Sequence, residues 1–329
     1  MVDREQLQAW ANHHVGPDAA VVAVERMAGH SSVTIAFDVA AGPRLERLVL
    51  RVVPSGVPRR GSTDVLRQVP LLMLMAAQGV PVPALRWWGE DTHWFGVEYL
   101  IVARVAGATL GDVFSVGGAP PPEADPRALF GQAIDALRAV HATAWHPALR
   151  DWDEPLSLAE EVDRWEVLLR RADDPAWLRD GLRVRDLLHA SAPDEPLPGV
   201  VHGDFYSNNW MFDGARLTAV LDWESAFLGP RLLDLGWTCM MIDPRGWASE
   251  HRPDLGWTPP VEDLVERYGA PHADVRWYRA LAGYRMAALT AHYLRLHRSG
   301  RRPDDVWELI AESVPPMLAR AAELAAGGG

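Results

Sequence analysis

β-Branched and apolar runs dominate the first hundred residues. Val21–Met27 and Val33–Val39 flank Ala28-Gly-His-Ser-Ser32, a turn of small residues, and Leu45–Val53 is a third run closed by Pro54-Ser-Gly56. Runs of this length bounded by turn residues predict strands, the first two paired as an antiparallel hairpin. The pattern then becomes helical from about Thr63 to Gln78. Pro70 lies inside it, and a residue without an N–H predicts a kink or a division there. Gly79-Val-Pro-Val-Pro83 ends the helix, and strands return at Leu85–Trp88 and Gly96–Arg104.

After Gly107 the periodicity changes. Leu129, Ile134, Leu137 and Val140 share one face of a predicted helix over Leu129–Ala144. Further helices are predicted at about Leu156–Arg171 and Ala176–Ala190, and from Val261 to Ala326. The outline is an α+β chain. A β-rich N-lobe over residues 1–104 precedes a larger, mainly helical C-lobe over residues 105–329.

Between those helices lies a stretch of another kind. Trp210–Phe212 and Leu217–Leu221 surround Asp213-Gly214, a strong hairpin signal. A hairpin returns the chain to its start, so Asn209 and Asp222 should meet at its open end. Asp204 lies five residues before Asn209, in the loop leading there. An amide oxygen and two carboxylates with no thiolate form a hard oxygen set that suits Mg²⁺. Such a set can transfer a phosphoryl group. One carboxylate and the amide hold the metal against nucleotide phosphates, and the other carboxylate orients a hydroxyl and takes its proton.

Composition narrows the alternatives. The 329 residues carry 32 Lys+Arg and 44 Asp+Glu, a formal charge of −12. That acidity argues against a nucleic-acid partner, which needs a basic footprint. Every basic residue is arginine, which excludes Schiff-base lysine chemistry and a P-loop Gly-Lys-Ser/Thr site. Cys239 is the one cysteine, so no intrachain disulfide and no Cys-rich zinc site can form. The charged start Met1-Val-Asp-Arg-Glu-Gln is unlike a secretory signal. Val69–Ala77 is far short of the ~20 residues that span a bilayer. The expectation is a cytoplasmic protein with no membrane partner.

His202-Gly-Asp204, then Asn209, then Asp222, resembles the catalytic and metal-binding signature of the aminoglycoside phosphotransferase-like kinases. The resemblance covers most of the chain and implies a bilobal protein-kinase-like fold. It also implies an ATP- and Mg²⁺-dependent transfer to a hydroxyl of a small molecule, an aminoglycoside-like antibiotic or another hydroxylated metabolite. Asp204 is then the catalytic base, Asn209 and Asp222 bind Mg²⁺, and His202 supports the loop. Asp234, in Gly229-Pro-Arg-Leu-Leu-Asp-Leu235, matches a structural Asp that braces that loop; read locally, it is a helix N-cap. Ala28–Thr34 falls where the family has a nucleotide-covering loop, with Ser31 and Ser32 as phosphate contacts, or is a plain hairpin connection.

Arg51, in Leu48-Val-Leu-Arg51-Val-Val, occupies the place of the phosphate-binding lysine. A guanidinium can hold phosphate bidentately, so the role survives the change, or Arg51 is a surface charge. The glutamate that pairs with this lysine is replaced by Gln68, either a neutral partner of Arg51 or a solvent-facing amide; Asp64 is a fallback carboxylate. Tyr99–Gly107 resembles the hinge, with adenine held by backbone near Val102 to Arg104, or is an edge strand. Gly203 and the short interval from Asp222 to Asp234 leave no room for a phosphorylation switch. Asp151, Asp153, Glu154, Glu160, Glu161 and Asp163 form an acidic stretch, an acceptor site by resemblance or simply a solvated helix. The missing lysine and glutamate also leave open a catalytically weak, nucleotide-binding scaffold.

Overall fold

The computed structural model describes residues 2–27, 33–53, 56–57, 61–111, 125–143, 149, 152–194, 196–248 and 258–328. The strands are β1 (Ala20–Met27), β2 (Val33–Ala41), β3 (Arg44–Val52), β4 (Leu85–Gly89), β5 (Tyr99–Ala103), β6 (Ala108–Thr109), β7 (Gly199–Val201), β8 (Trp210–Asp213), β9 (Arg216–Val220) and β10 (Phe227–Gly229). The helices are α1 (Arg4–His14), α2 (Gln68–Ala77), α3 (Pro126–Ala142), α4 (Leu158–Leu169), α5 (Pro175–Ala190), α6 (Leu232–Ile242), α7 (Val261–Tyr268), α8 (His272–Arg298), α9 (Val306–Ala311) and α10 (Val314–Ala325).

Two compact units divide the chain, and they are not sequential halves. The first comprises Met1–Ala119, Trp145–Trp152 and Asn208–Ala226; the second comprises Pro120–Ala144, Asp153–Ser207 and Phe227–Gly329.

The first unit is built on an antiparallel sheet of order β1-β2-β3-β5-β4. Period-two alternation along β3 sends Leu48, Leu50 and Val52 into a core with Ile35, Phe37, Val39 and Ile101. The same alternation turns Arg51 to the opposite face. Helix α1 closes the core with Leu7, Trp10 and Ala11, spaced i, i+3, i+4, and its start is fixed by a capping box between Asp3 and Gln6. Burying a side chain such as Leu7 contributes ~1.5–3 kcal/mol.

The helix expected from Thr63 to Gln78 is divided, but not at Pro70. Short 3-10 turns at Gly61–Thr63 and Val65–Arg67 precede α2, and Pro70 is its third residue. There the missing N–H is one of the orphan donors of a helix start and costs nothing. The strand expected from Gly96 begins only at Tyr99, because Gly96 sits at φ 76 and donates to the Thr92 carbonyl at 2.8 Å, closing a turn. A second sheet, β6-β8-β9, carries the expected hairpin, with Asp213 paired to Arg216 and the turn at Gly214-Ala215.

The second unit is organised by α8, 27 residues or ~40 Å long, which packs against α4, α5, α6 and α10. Tyr278, Leu281, Tyr284, Ala287 and Ala288 lie within this core. Gly236 lets α6 approach closely: a Cβ there would lie 2.6 Å from the Tyr278 backbone. The acidic stretch is solvated at Glu154, Glu160 and Asp163, and the expectation fails at Glu161, which is fully buried on Arg164 and the Trp165 indole. Glu160 closes a capping box with Ser157, and Asp151 is outside the described residues. Strands β7 and β10 pair antiparallel in this unit and bracket residues 202–226 in the sequence.

Candidate active site

Within the first unit, Arg51 is the centre of a charged cluster. Its Nη2 donates to Glu224 Oε2 at 2.6 Å and to Asp222 Oδ1 at 2.8 Å, while Nη1 donates to Gln68 Oε1 at 3.3 Å. Arg51 is thus no surface charge, and Gln68, 4% exposed, is no solvent-facing amide. The pairing of Arg51 with Asp222 joins a strand near the N-terminus to a turn 171 residues later. Asp64 caps the Val65–Arg67 turn through the N–H groups of Leu66 and Arg67.

Asp222 lies where the hairpin ends. It holds φ 61 and ψ 62, and it is the one non-glycine residue with positive φ among those described. Such a conformation is uncommon outside glycine, though aspartate tolerates it better than most, and strained residues of this kind cluster at functional sites. The neighbouring backbone is fixed. Leu221 donates to the Asn209 carbonyl at 2.8 Å, beside the Trp210–Val220 pair, so Asn209 and Asp222 occupy matching ends of the hairpin. Trp223, buried, donates its indole N–H to the Val220 carbonyl at 2.9 Å.

Asn209 and Asp222 both offer hard oxygen donors, the kind that suits Mg²⁺. No group of three or more His, Cys, Asp or Glu able to hold a metal ion is found among the described residues. Magnesium is bound in this manner, by one or two protein ligands, with water and phosphate oxygens completing the shell.

The residues expected at the hinge are on β5 and just beyond it. Val102 is buried between β3 and β4, opposite Val49 and Leu85. The Ala103 N–H is committed to the Ala84 carbonyl and the Arg104 N–H to the Arg47 carbonyl, each at 2.8 Å. The Arg104 guanidinium pairs with Glu25. The strand is internal to the sheet, so the edge-strand alternative falls. Ser31 and Ser32 lie outside the described residues.

In the second unit, the segment after β7 is clamped by one carboxylate. Asp234 accepts the His202 N–H at 2.7 Å on Oδ2 and the Gly203 N–H at 2.8 Å on Oδ1. His141 Nε2 reaches Oδ2 at 3.0 Å, and its Nδ1 lies 2.7 Å from the Tyr268 hydroxyl. A carboxylate only accepts, so the proton is on Nε2 and the tyrosine donates to Nδ1. Burial holds His141 below the usual histidine range, the Asp234 contact acting in the other direction. Asp234 is therefore the brace that the resemblance implied. It is not the N-cap of its helix, which starts at Leu232.

The loop has further supports. Gly203 adopts φ 83, and its carbonyl accepts from the Arg285 guanidinium, which stacks on Trp237 and Trp165. His202, fully buried, accepts the Asp204 N–H on Nδ1 at 3.2 Å. Asp204 thus follows a segment whose backbone is tied on both sides. Cys239 is buried, and desolvation pushes its thiol up to about 12, which removes it as a nucleophile.

Sequence reasoning missed two residues that the structure brings to the candidate site residues. Glu224 stands two residues after Asp222, and only the pairing with Arg51 gives it a role. Arg285 lies 82 residues from Gly203, on a helix whose face toward the loop no local pattern reveals.

Residues 24–281 match the phosphotransferase enzyme family, and the chain belongs to it. Its fold is the kinase-like fold of the aminoglycoside phosphotransferases, with a sheet-rich N-terminal part and a helical C-terminal part. A candidate aminoglycoside phosphotransferase from Ralstonia eutropha superposes with a TM-score of 0.77 at 22% identity, covering 99% of both chains. A thermostable variant of the aminoglycoside phosphotransferase APH(4)-Ia, in complex with AMP-PNP and hygromycin B, gives 0.63 at 18% identity, covering 98% of this chain and 99% of the other. At these identities the superpositions speak for the fold.

Acyl-CoA dehydrogenase family member 10 of Mus musculus is 26% identical over 260 residues, 74% of this chain and 24% of its own length. Hygromycin-B 4-O-kinase of Escherichia coli is 22% identical over 221 residues, 59% of this chain and 60% of its own. The chain spans less than half the length of the acyl-CoA dehydrogenase relatives it matches.

Proposed function

We propose that the chain is an ATP-dependent phosphotransferase that moves the γ-phosphoryl group to a hydroxyl of a small molecule, an aminoglycoside-like antibiotic or another hydroxylated metabolite. The observation that carries the reading is the 2.8 Å contact between Arg51 and Asp222, because it brings a phosphate-binding cation and a metal ligand to one point. In this reading residues 1–104 form the nucleotide-covering lobe and residues 105–329 the C-lobe. Arg51 holds phosphate oxygens, supported by Gln68, and Ser31 and Ser32 contribute from the covering loop. The adenine is recognised by backbone groups in the Val102–Arg104 region. Two N–H groups there are already bonded within the sheet, which favours carbonyls and the segment just after Arg104.

Asn209 and Asp222 hold Mg²⁺, which when bound neutralises phosphate charge. Asp204 orients the acceptor hydroxyl and takes its proton as the acceptor O–P bond forms and the bond from the γ-phosphorus to ADP breaks. The scaffold alternative leaned on a missing carboxylate partner for the cation. Glu224 supplies that carboxylate, which supports the catalytic reading. No helix among the described residues is long and apolar enough to cross a membrane, and we place the reaction in the cytoplasm.

The first acceptor panel is hygromycin B, which the name of one relative supplies, with other aminoglycosides and a set of hydroxylated metabolites. ADP release with each acceptor is the assay. Asp204→Asn should lower transfer ~10²–10⁴-fold, the usual contribution of a general base, while Mg-ATP still binds. A variant that keeps half of the parent's activity would remove Asp204 from this role. Asp222→Ala should lose Mg²⁺-dependent ATP affinity in calorimetry, and an unchanged metal dependence would refute its assignment.

A further inference from the structure

We infer that Glu224 is the positioning residue for Arg51, taking the part that a helix carboxylate would play where this chain has Gln68. The inference rests on the phosphotransferase reading above. Gln68, Asp222 and Glu224 all accept from Arg51, and they are not equivalent. Gln68 is the most distant at 3.3 Å and is neutral, so α2 contributes a weak hydrogen bond. Asp222 is charged, but its oxygens are the ones assigned to Mg²⁺, and a dication competes with Arg51 for them. Glu224 is charged, closest at 2.6 Å, and stands outside the Asn209/Asp222 pair.

Burial favours the same partner. The Glu224 side chain is 14% exposed and that of Asp222 37%, so the attraction between Arg51 and Glu224 is less screened by water. A short charge-assisted bond between two largely enclosed groups fixes the plane of the guanidinium.

The turn that carries Glu224 is itself anchored. Trp223 is pinned through its indole N–H to Val220. The next element of the turn is held by Arg67, which donates to the Ala226 carbonyl at 2.5 Å. Arg67 lies 4.0 Å over the Trp152 ring, and the Trp152 indole donates to the Arg67 carbonyl at 2.6 Å. One three-residue turn, Trp223–Ser225, therefore follows the metal ligand directly and contains the anchor of the phosphate-binding cation. The carboxylate that places Arg51 then comes from this turn, and α2 adds only the neutral Gln68 amide.

The test is a double-mutant cycle on the full chain: parent, Glu224→Gln, Gln68→Glu and both changes together, with Glu224→Asp as a fifth variant. ATP affinity is read by calorimetry with Mg²⁺ and in chelator without it, beside kcat and KM for ATP and the melting temperature. Loss of one charge-assisted bond predicts that Glu224→Gln weakens ATP binding and raises KM about ten- to a hundred-fold, in chelator as well, with a smaller change in kcat. Glu224→Asp keeps the charge and should bind ATP more tightly than Glu224→Gln. In the Glu224→Gln background, Gln68→Glu should restore about tenfold or more, because it puts a carboxylate oxygen against Arg51 Nη1. The inference is overturned if Glu224→Gln binds ATP like the parent, or if its loss is not recovered by Gln68→Glu and simply follows a fall in melting temperature. A parent that binds no nucleotide defeats the functional reading as well, whereas a parent that binds and a Glu224→Gln that binds equally defeats only the role of Glu224.

Discussion

Asp234→Asn is expected to loosen the loop that carries Asp204 while leaving the nucleotide side of the site nearly intact. Three donors converge on the Asp234 carboxylate: the N–H groups of His202 and Gly203, and His141 Nε2. Asparagine has one acceptor oxygen where aspartate has two. With that oxygen on the Oδ2 side, the bonds to His202 and His141 survive, and the new NH₂ faces the Gly203 N–H, donor against donor. The opposite orientation sets two donors against the NH₂ and is worse.

The cheaper arrangement still loses one charge-assisted bond, ~1.5–3 kcal/mol, and leaves a buried N–H without an acceptor, ~1–3 kcal/mol. Part of this is offset because a carboxylate no longer has to be kept out of water, Asp234 being 1% exposed. A net loss of about 2–4 kcal/mol follows, or roughly 3–6 °C in melting temperature for a chain of this size. Because Gly203 immediately precedes Asp204, kcat should fall about tenfold or more, while KM for ATP stays within about threefold. Thermal melts and steady-state kinetics on parent and variant decide it. A variant that melts within about 1 °C of the parent would show that the three donors find other partners, and the brace argument would fail.

Arg51→Lys should be almost as impaired as Arg51→Ala, because one ammonium cannot reach Glu224, Asp222 and Gln68 together; kcat/KM for ATP should drop about ten- to a hundred-fold in both, and a lysine variant equal to the parent would refute the fork argument. Stability should fall as pH drops below about 6.5. His141 is held below that value in the folded chain, so between its folded and unfolded pKa the unfolded chain binds the extra proton and stability rises with pH. The slope is at most ~1.4 kcal/mol per pH unit for one proton. Melts at pH 7.5, 6.5 and 5.5 should show it, reduced in His141→Gln, and identical slopes in parent and variant would remove His141 as the source.

Much of this protein is legible along the chain because its determinants are local. Period-two alternation in β3 is enough to separate Arg51 from the core-facing Leu50 and Val52. The turn chemistry between Phe212 and Leu217 is enough to bring Asn209 and Asp222 to matching ends of one hairpin. The helical spacing of Leu129, Ile134, Leu137 and Val140 likewise appears as the buried face of α3. Glycine and proline placed the boundaries less well, since their effect depends on position within an element: Pro70 is harmless in a first turn, and Gly96 shortens a strand by closing a turn ahead of it.

Charge partners were beyond the reach of any window of sequence. Arg51 and Glu224 are 173 residues apart, and Asp234 reaches back 32 residues to His202 and 93 to His141. A carboxylate looks the same in sequence whether it caps a helix, faces water or holds an arginine. What selects among these is the dielectric and the donors around it, and both are supplied by elements that meet only when the chain folds. Local periodicity therefore determined where the strands, the hairpin and the Asn209 and Asp222 positions at its ends lie. The tertiary structure alone decided that Glu224 joins Gln68 and Asp222 around Arg51, that Glu161 is buried, and that Asp234 grips the loop rather than capping its own helix.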